Sequence, residues 1–323
     1  MNDYSKEFKK IWDDLLDDYH LAKPCVNPQG FVLGGQPGAG KSNLLKNIEN
    51  KLNGNVLIIN ADEFRRYHPQ FDEIQAQYGD DAPKYTAEFS GKMAEQILNK
   101  ALTEHYNIAI EGTFRTAQTP LNTLDLMKSH GYKTAVHIQT CPKSLSWQST
   151  IKRYNAMIKA GLTPRAVDKA HHDLVCDRLP ENADTVYQSG KADEFQVYSR
   201  NGLIFDNQTS QNLPSKVIHK ELHTLTQEEA QTQMMSVFAE FAPIDSPAYK
   251  DIEQRVERQV TEHYKQGKVL TQQDIQQVRE NTAKTMPQVR QDFHQAAKKQ
   301  PAQTPSVEQI EQMLKQDKGN LKR

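Results

Sequence analysis

Disulfide chemistry is the first thing this sequence lacks. Its 323 residues include three cysteines, Cys25, Cys141 and Cys176. The number is odd and the spacing is not that of metal ligands. Neither a disulfide framework nor a zinc site is expected, and a reducing compartment is. Net charge is also nearly absent, at −1. Such a chain has no overall field that draws it to nucleic acid or to an anionic membrane. Long apolar runs are missing too. None approaches the ~20 residues that cross a bilayer, and the polar start Met1-Asn2-Asp3-Tyr4 lacks the apolar core of a signal peptide. The expectation is a cytoplasmic protein of one large or two modest domains, with no membrane or nucleic-acid partner.

What the sequence does contain is a phosphate-binding loop. Gly35, Gln36, Pro37, Gly38, Ala39, Gly40, Lys41 and Ser42 match G-x-x-x-x-G-K-[ST] at every fixed position. Residues 30–34 before the loop read as a buried strand, and residues 43–48 after it as the start of a helix. That context is what the chemistry requires. Glycines let backbone N–H groups turn inward around phosphate oxygens, and the helix N-terminus adds a positive dipole end. Lys41 is placed to reach the β- and γ-phosphates, and the Ser42 hydroxyl to ligate Mg²⁺. A nucleoside triphosphate is therefore expected, ATP or GTP, since no base-specific motif is legible.

Short apolar runs at 31–34, 55–60, 107–110 and 134–139 predict parallel strands. A fifth stretch, 194–205, carries the hairpin signal Asn201-Gly202. Helical patterns over 4–21, 41–53, 84–105, 119–130 and 143–160 lie before and between these runs. The alternation predicts an α/β fold, a parallel sheet with helices on both faces. Ligands in such sheets bind beyond the carboxyl ends of the strands. After about residue 222 the chain turns rich in Gln, Glu and Lys and shows no strand signal. Thr226-x-x-Glu229, Ser246-Pro247 and Thr271-x-x-Asp274 read as helix starts. Val237, Phe238 and Phe241, then Ile252, Val256 and Val260, then Ile275, Val278 and Met286 supply apolar faces. Residues 298–306 read as a linker. The expected division is a kinase-like domain over 1–222 and a helical extension over 223–323.

Several sites lie where strands should end. Asp62 follows the strand at 55–60. It is placed either as a base for an acceptor hydroxyl or as the N-cap of the next helix. Glu111, Thr113 and Arg115 emerge together after 107–110, with Gly112 allowing a tight turn. They suit a hydroxyl-rich substrate or magnesium, or Glu111 and Arg115 simply pair. Arg153 in a helix and Arg165 after it suit a phosphate clamp, because guanidinium is planar, bidentate and always charged. His171 and His172 are adjacent, so they face different sides of a helix and read as surface and core.

In this order and spacing these motifs resemble the zeta toxin family, kinase toxins of bacterial toxin–antitoxin systems. The resemblance covers roughly 28–205. It rests on G-Q-P-G-A-G-K-S at 35–42, N-A-D-E-F-R-R-Y-H-P at 60–69, I-E-G-T-F-R-T at 110–116, K-R-Y-N-A-M at 152–157 and A-H-H-D at 170–173. It implies phosphorylation of the 3′-hydroxyl of the sugar of UDP-N-acetylglucosamine, which depletes peptidoglycan precursors. It implies Asp62 as catalytic base, with Lys41 and Ser42 handling ATP and Mg²⁺. Glu95, Glu111, Thr113, Arg115 and Thr123 would form the UDP-sugar pocket. Arg153 and Arg165 would neutralise the moving phosphoryl group, and a small helical antitoxin would be the partner. Rival readings are a kinase of another small molecule, such as an antibiotic or nucleoside, and a nucleotide-gated interaction protein. The set of Asp62 with Glu111, Thr113 and Arg115 weighs against both.

Overall fold

The apolar run that leads into the glycine-rich loop forms β1 (Gln29–Gly34), an inner strand of a six-stranded sheet. The computed structural model describes residues 3–240 and 247–284. The remaining strands are β2 (Leu57–Ile59), β3 (Ile108–Glu111), β4 (Lys133–Gln139), β5 (Glu194–Ser199) and β6 (Gly202–Asp206). Their order is β2-β3-β1-β4-β5-β6. All pairings are parallel except β5 with β6. That antiparallel pair is the hairpin expected at Asn201-Gly202, and Gly202 supplies the φ of 130° in its turn.

The helices are α1 (Ser5–Asp18), α2 (Ser42–Lys51), α3 (Ala61–Phe64), α4 (Phe71–Tyr78), α5 (Ala82–Thr103), α6 (Gln118–Ser129), α7 (Lys143–Lys159), α8 (Lys169–Gln188), α9 (Pro214–Leu222), α10 (Gln227–Ala239) and α11 (Pro247–Lys265). Residues 272–284 are also helical. Side chains alternate across β1, so its continuous apolar run buries both faces. Phe31 and Leu33 pack with Leu44 and Ile48 of α2. Val32 joins the opposite layer, with Met93 and Ile97 of α5, Leu124 of α6 and Leu179 of α8. The sheet is thus flanked by helices. Chain order reverses at β1, with β3 on one side and β4 on the other, which opens the crevice where the glycine-rich loop sits.

The chain divides into two compact units, Met1–Thr226 and Gln227–Arg323. The periodicity did not reveal α9, which belongs to the first unit. Ile218 and Leu222 enter its core, and Ser215 N–H bonds Asp184 Oδ1 at 2.8 Å. In the second unit Val237, Val256, Val260 and Ile275 are buried. Thr271 and Asp274 form the expected cap: Asp274 N–H donates to Thr271 Oγ1 at 3.3 Å and Thr271 N–H to Asp274 Oδ2 at 2.7 Å. Ser246, Phe241, Met286 and the stretch 298–306 lie outside the described residues. The three thiols are free. Burial pushes Cys141 up to about 11 and Cys176 up to about 12, so both stay protonated and unreactive. Among the described residues no helix is long and apolar enough to cross a membrane.

A chain ending at Ser210 loses α9 and uncovers the core around Ile218 and Leu222. At about 1.5–3 kcal/mol per buried aliphatic side chain, a large part of a domain's net stability goes with it. The expected result is a thermal midpoint many degrees lower than that of a chain ending at Thr226. Equal midpoints would remove α9 from the folding unit.

Candidate functional site

Backbone packing sets the shape of the glycine-rich loop. Gly35 has φ 136°, and a Cβ there would lie 2.1 Å from Gln139 O, at the end of β4. Gly38 has φ 79°, and a Cβ there would lie 2.1 Å from Ser146 O in α7. Neither position accepts any other residue without moving backbone. Gly40 follows at φ 103°. Pro37 is half-buried and Ala39 is buried. Gln36 is fully buried and donates from Nε2 to Cys141 O at 2.8 Å. Lys41 folds back over the loop and donates from Nζ to Gly35 O at 2.9 Å. Ser42 opens α2 with its side chain exposed.

Facing the loop, the ends of β2 and β3 bring carboxylates to Lys41. Asn60 caps α3 by accepting from Asp62 N–H at 3.0 Å, and its Nδ2 donates to Glu111 Oε1 at 3.2 Å. The N-cap is therefore Asn60, and Asp62 stands in the first turn. Arg65 Nε donates to Asp62 Oδ1 at 3.0 Å, and a terminal nitrogen is ion-paired with the same oxygen at 2.9 Å. Glu111 is half-buried. Desolvation raises its pKa, opposed by Lys41 and reinforced by Asp62 and Glu63. Burial lowers Lys41 from the usual ammonium value, with Glu111 the main opposing charge. Arg153, on α7, is likewise lowered by desolvation and by Arg165, while Asp62, Glu111 and Glu63 act to raise it. Arg165 pairs with Glu63 Oε1. Lys41, Asp62, Glu111, Arg153 and Arg165 thus share one electrostatic neighbourhood, with Glu63 as an added anion.

None of the other expected residues has a hydrogen bond or ion pair to this cluster among the described residues. Thr113 is half-buried just past β3, and Arg115 is exposed. Glu111 bonds Asn60 rather than Arg115. Thr123 lies on α6 with its hydroxyl on Thr119 O at 3.0 Å. Glu95 is on an exposed face of α5. Gly112 does not make the tight turn expected of it. A Cβ there would meet only Leu33 O at 3.5 Å, and the left-handed residue is Phe114, at φ 58°. Phe114 is buried against Gly34, where an added Cβ would lie 2.5 Å from its ring. Asn182 of α8 holds its carbonyl at 2.8 Å. His172 is fully buried and bonded to Ser146 Oγ at 2.8 Å, while His171 is half-buried. Among the described residues no group of three or more His, Cys, Asp or Glu is placed to hold a metal.

Sequence reasoning missed Arg200. It sits in the β5–β6 turn and reaches back to the loop, donating to Gly38 O at 2.7 Å, Ala39 O at 3.4 Å and Ser149 Oγ at 2.8 Å. An arginine beside a hairpin turn carries no signal of such a contact, which exists only once the sheet is assembled.

The sequence model described as Zeta toxin matches residues 13–210. Toxin zeta of Streptococcus pyogenes is 32% identical over 265 residues, covering 80% of this chain and 92% of that protein. Toxin PezT of Streptococcus pneumoniae is 33% identical, over 62% of this chain and 80% of that protein. A solved structure of the PezAT chromosomal toxin–antitoxin system of Streptococcus pneumoniae superposes with TM-score 0.62 at 25% identity, over 81% of this chain and 98% of that one. A match over 80% of the chain cannot fit within residues 1–222, so part of the C-terminal extension has a counterpart in the Streptococcus pyogenes protein.

Arg200→Ala removes the clamp on the loop carbonyls. A charged hydrogen bond is worth about 1.5 kcal/mol at its low end, so nucleotide affinity should fall roughly tenfold. Titration with a fluorescent ATP analogue reads this directly, and an unchanged affinity would make the contact incidental.

Proposed function

Since the chain belongs to the zeta toxin family, we propose that it transfers the γ-phosphate of ATP to the 3′-hydroxyl of the sugar of UDP-N-acetylglucosamine or a related UDP-sugar. The observation that carries this reading is the convergence of Lys41, Asp62, Glu111, Arg153 and Arg165 beside the glycine-rich loop. A binding switch needs the loop and its lysine. It has no need of a carboxylate across from them together with two arginines on a separate helix and connection.

In this reading free amides of the loop cradle the phosphates, excepting Pro37, which has no N–H, and Ala39, whose N–H bonds Gln36 O, and Lys41 exchanges Gly35 O for a phosphate oxygen. Asp62 accepts the proton of the attacking hydroxyl. Phosphoryl transfer has a loose transition state, so a modest base suffices and positioning does most of the work. Arg153 and Arg165 neutralise charge on the transferring group, with Arg165 leaving Glu63 to do so. Ser42 is the protein ligand for Mg²⁺, which prefers few protein ligands and several phosphate or water oxygens. When bound, the ion would withdraw charge from the phosphates. Glu111 with Asn60, Thr113 and Thr123 would face the sugar, and Glu95 and Arg115 would form the exposed rim of the UDP-sugar pocket.

The kinase machinery falls wholly within the unit ending at Thr226, which makes the second unit accessory. A small helical antitoxin is the proposed partner, supported by the toxin–antitoxin system to which the similar solved structure belongs. Loss of peptidoglycan precursor would be the toxic effect, in the cytoplasm where UDP-sugars are used.

Mass spectrometry of a UDP-sugar panel incubated with protein, ATP and Mg²⁺ tests the activity, and an unmodified panel would overturn it. Lys41→Ala should weaken ATP binding and turnover together. Asp62→Ala should leave ATP affinity near normal and cut turnover by ~10²-fold or more, the scale of general-base catalysis. Near-full turnover in that variant would remove Asp62 from the chemistry.

Arg153→Ala and Arg165→Ala should lower kcat more than they raise KM for the UDP-sugar, because their target charge develops in the transition state. Arg115→Ala should mainly raise KM. Steady-state kinetics would show the roles exchanged if these patterns reversed. Expression of the intact chain without antitoxin should arrest or lyse bacteria, and Asp62→Ala should relieve it.

A further inference from the structure

Asp62 is a poor base as an isolated side chain. It stands on a four-residue helix and its side chain is 62% exposed. Nothing in that setting selects one rotamer, and a reacting group displaced by about 1 Å costs on the order of 10²-fold in rate. One side chain supplies the missing restraint. Arg65 Nε donates to Asp62 Oδ1 at 3.0 Å, and one terminal nitrogen is ion-paired with the same oxygen at 2.9 Å. The other terminal nitrogen donates away from the site, to Pro83 O at 2.6 Å and Thr86 Oγ1 at 3.2 Å. Pro83 and Thr86 belong to the first turn of α5, and Thr86 is 1% exposed. Farther along, α5 is anchored by Met93 and Ile97, both fully buried. A continuous brace therefore runs from the core through α5 and Arg65 to one oxygen of Asp62.

We propose that Arg65 is the positioning residue of the reaction, holding Asp62 by Oδ1 and presenting Oδ2 to the acceptor hydroxyl. The inference rests on Asp62 being the base. Among the described residues no donor reaches Oδ2, so the oxygen left over is the one that takes the proton. The same geometry separates Arg65 from the phosphate clamps. Among the described residues all three of its nitrogens are engaged within the protein, whereas the partner shown for Arg165 is Glu63. The next residue, Arg66, takes no part: its guanidinium turns to the Tyr67 hydroxyl, which in turn bonds Asp14 on α1. Lysine cannot replace Arg65, because one ammonium cannot span Asp62 and the α5 turn together.

The test compares Arg65→Gln, Arg65→Lys and Thr86→Val in the full chain, with ATP and UDP-N-acetylglucosamine as substrates. Arg65→Gln should lower kcat 10- to 100-fold while the affinity for a fluorescent ATP analogue stays within twofold. Arg65→Lys should recover only part of this. Thr86→Val keeps the shape of the side chain and removes one brace, so it should lower kcat a few-fold in the same direction. It also serves if the Arg65 variants do not fold. Single-turnover rates in the Asp62→Ala background discriminate further, because adding Arg65→Gln there should cost nothing more.

The proposal is overturned if Arg65→Gln keeps full kcat. It is overturned equally if Arg65→Gln weakens nucleotide binding as much as turnover, or slows the Asp62→Ala enzyme by its full factor. Full activity of Asp62→Ala alone would instead sink the base assignment on which the proposal stands.

Discussion

Backbone packed against backbone at Gly35 and Gly38 is the constraint on which the site depends. Two carbonyls, Gln139 O and Ser146 O, occupy the places where side chains would begin. The glycine-rich loop is therefore held from behind by the end of β4 and from the side by α7. The same contact ties α7 to the loop. Ser146 passes the connection on to α8 through its hydroxyl bond with buried His172, and seven residues along α7 stands Arg153. Arg200 completes the enclosure from the β5–β6 hairpin. Preorganisation of this kind lets electrostatic stabilisation act at the moment of reaction without reorganising the protein.

A second seam links the two sides of the crevice. Phe114 turns left-handed after β3 and lies on Gly34, the last residue of β1. The turn carrying Glu111 and Thr113 is thus seated on the strand that launches the phosphate loop. Gly112 N–H bonds Leu33 O at 2.9 Å and adds to that seat. The spacing between phosphate loop and carboxylates is then set by packed core.

Much of this was legible in the sequence. The glycine-rich loop was readable because its chemistry leaves little choice of residue. The inner strands were readable because burial on two faces demands continuous apolar runs. Asp62 and Glu111 were expected where strands end, and they stand just past β2 and at the last position of β3. What escaped detection depends on assembled neighbours. The left-handed residue was sought at Gly112 and found at Phe114, because tertiary packing on Gly34 outweighs the intrinsic preference of glycine. The cap was sought at Asp62 and found at Asn60, two residues earlier. Arg200 is 162 residues from the carbonyl it clamps, and no local pattern encodes such a partner. Helix α9 is short, and its burial shows only against α8 and the sheet.

The pairing of Arg165 with Glu63 gives the crevice its own counterion. Three carboxylates, Asp62, Glu63 and Glu111, stand among Lys41, Arg153 and Arg165. Arg65, paired with Asp62, and Arg200, on the loop carbonyls, add two further cations, so the crevice keeps a positive excess even with its carboxylates in place. An anion that takes Arg165 must first displace Glu63. A triphosphate brings several charges and a ring of loop amides at once, and can outbid the resident anion. The Glu63 pair thus sets a cost on engaging Arg165, one that a polyanion held by several groups meets more readily than a lone small anion.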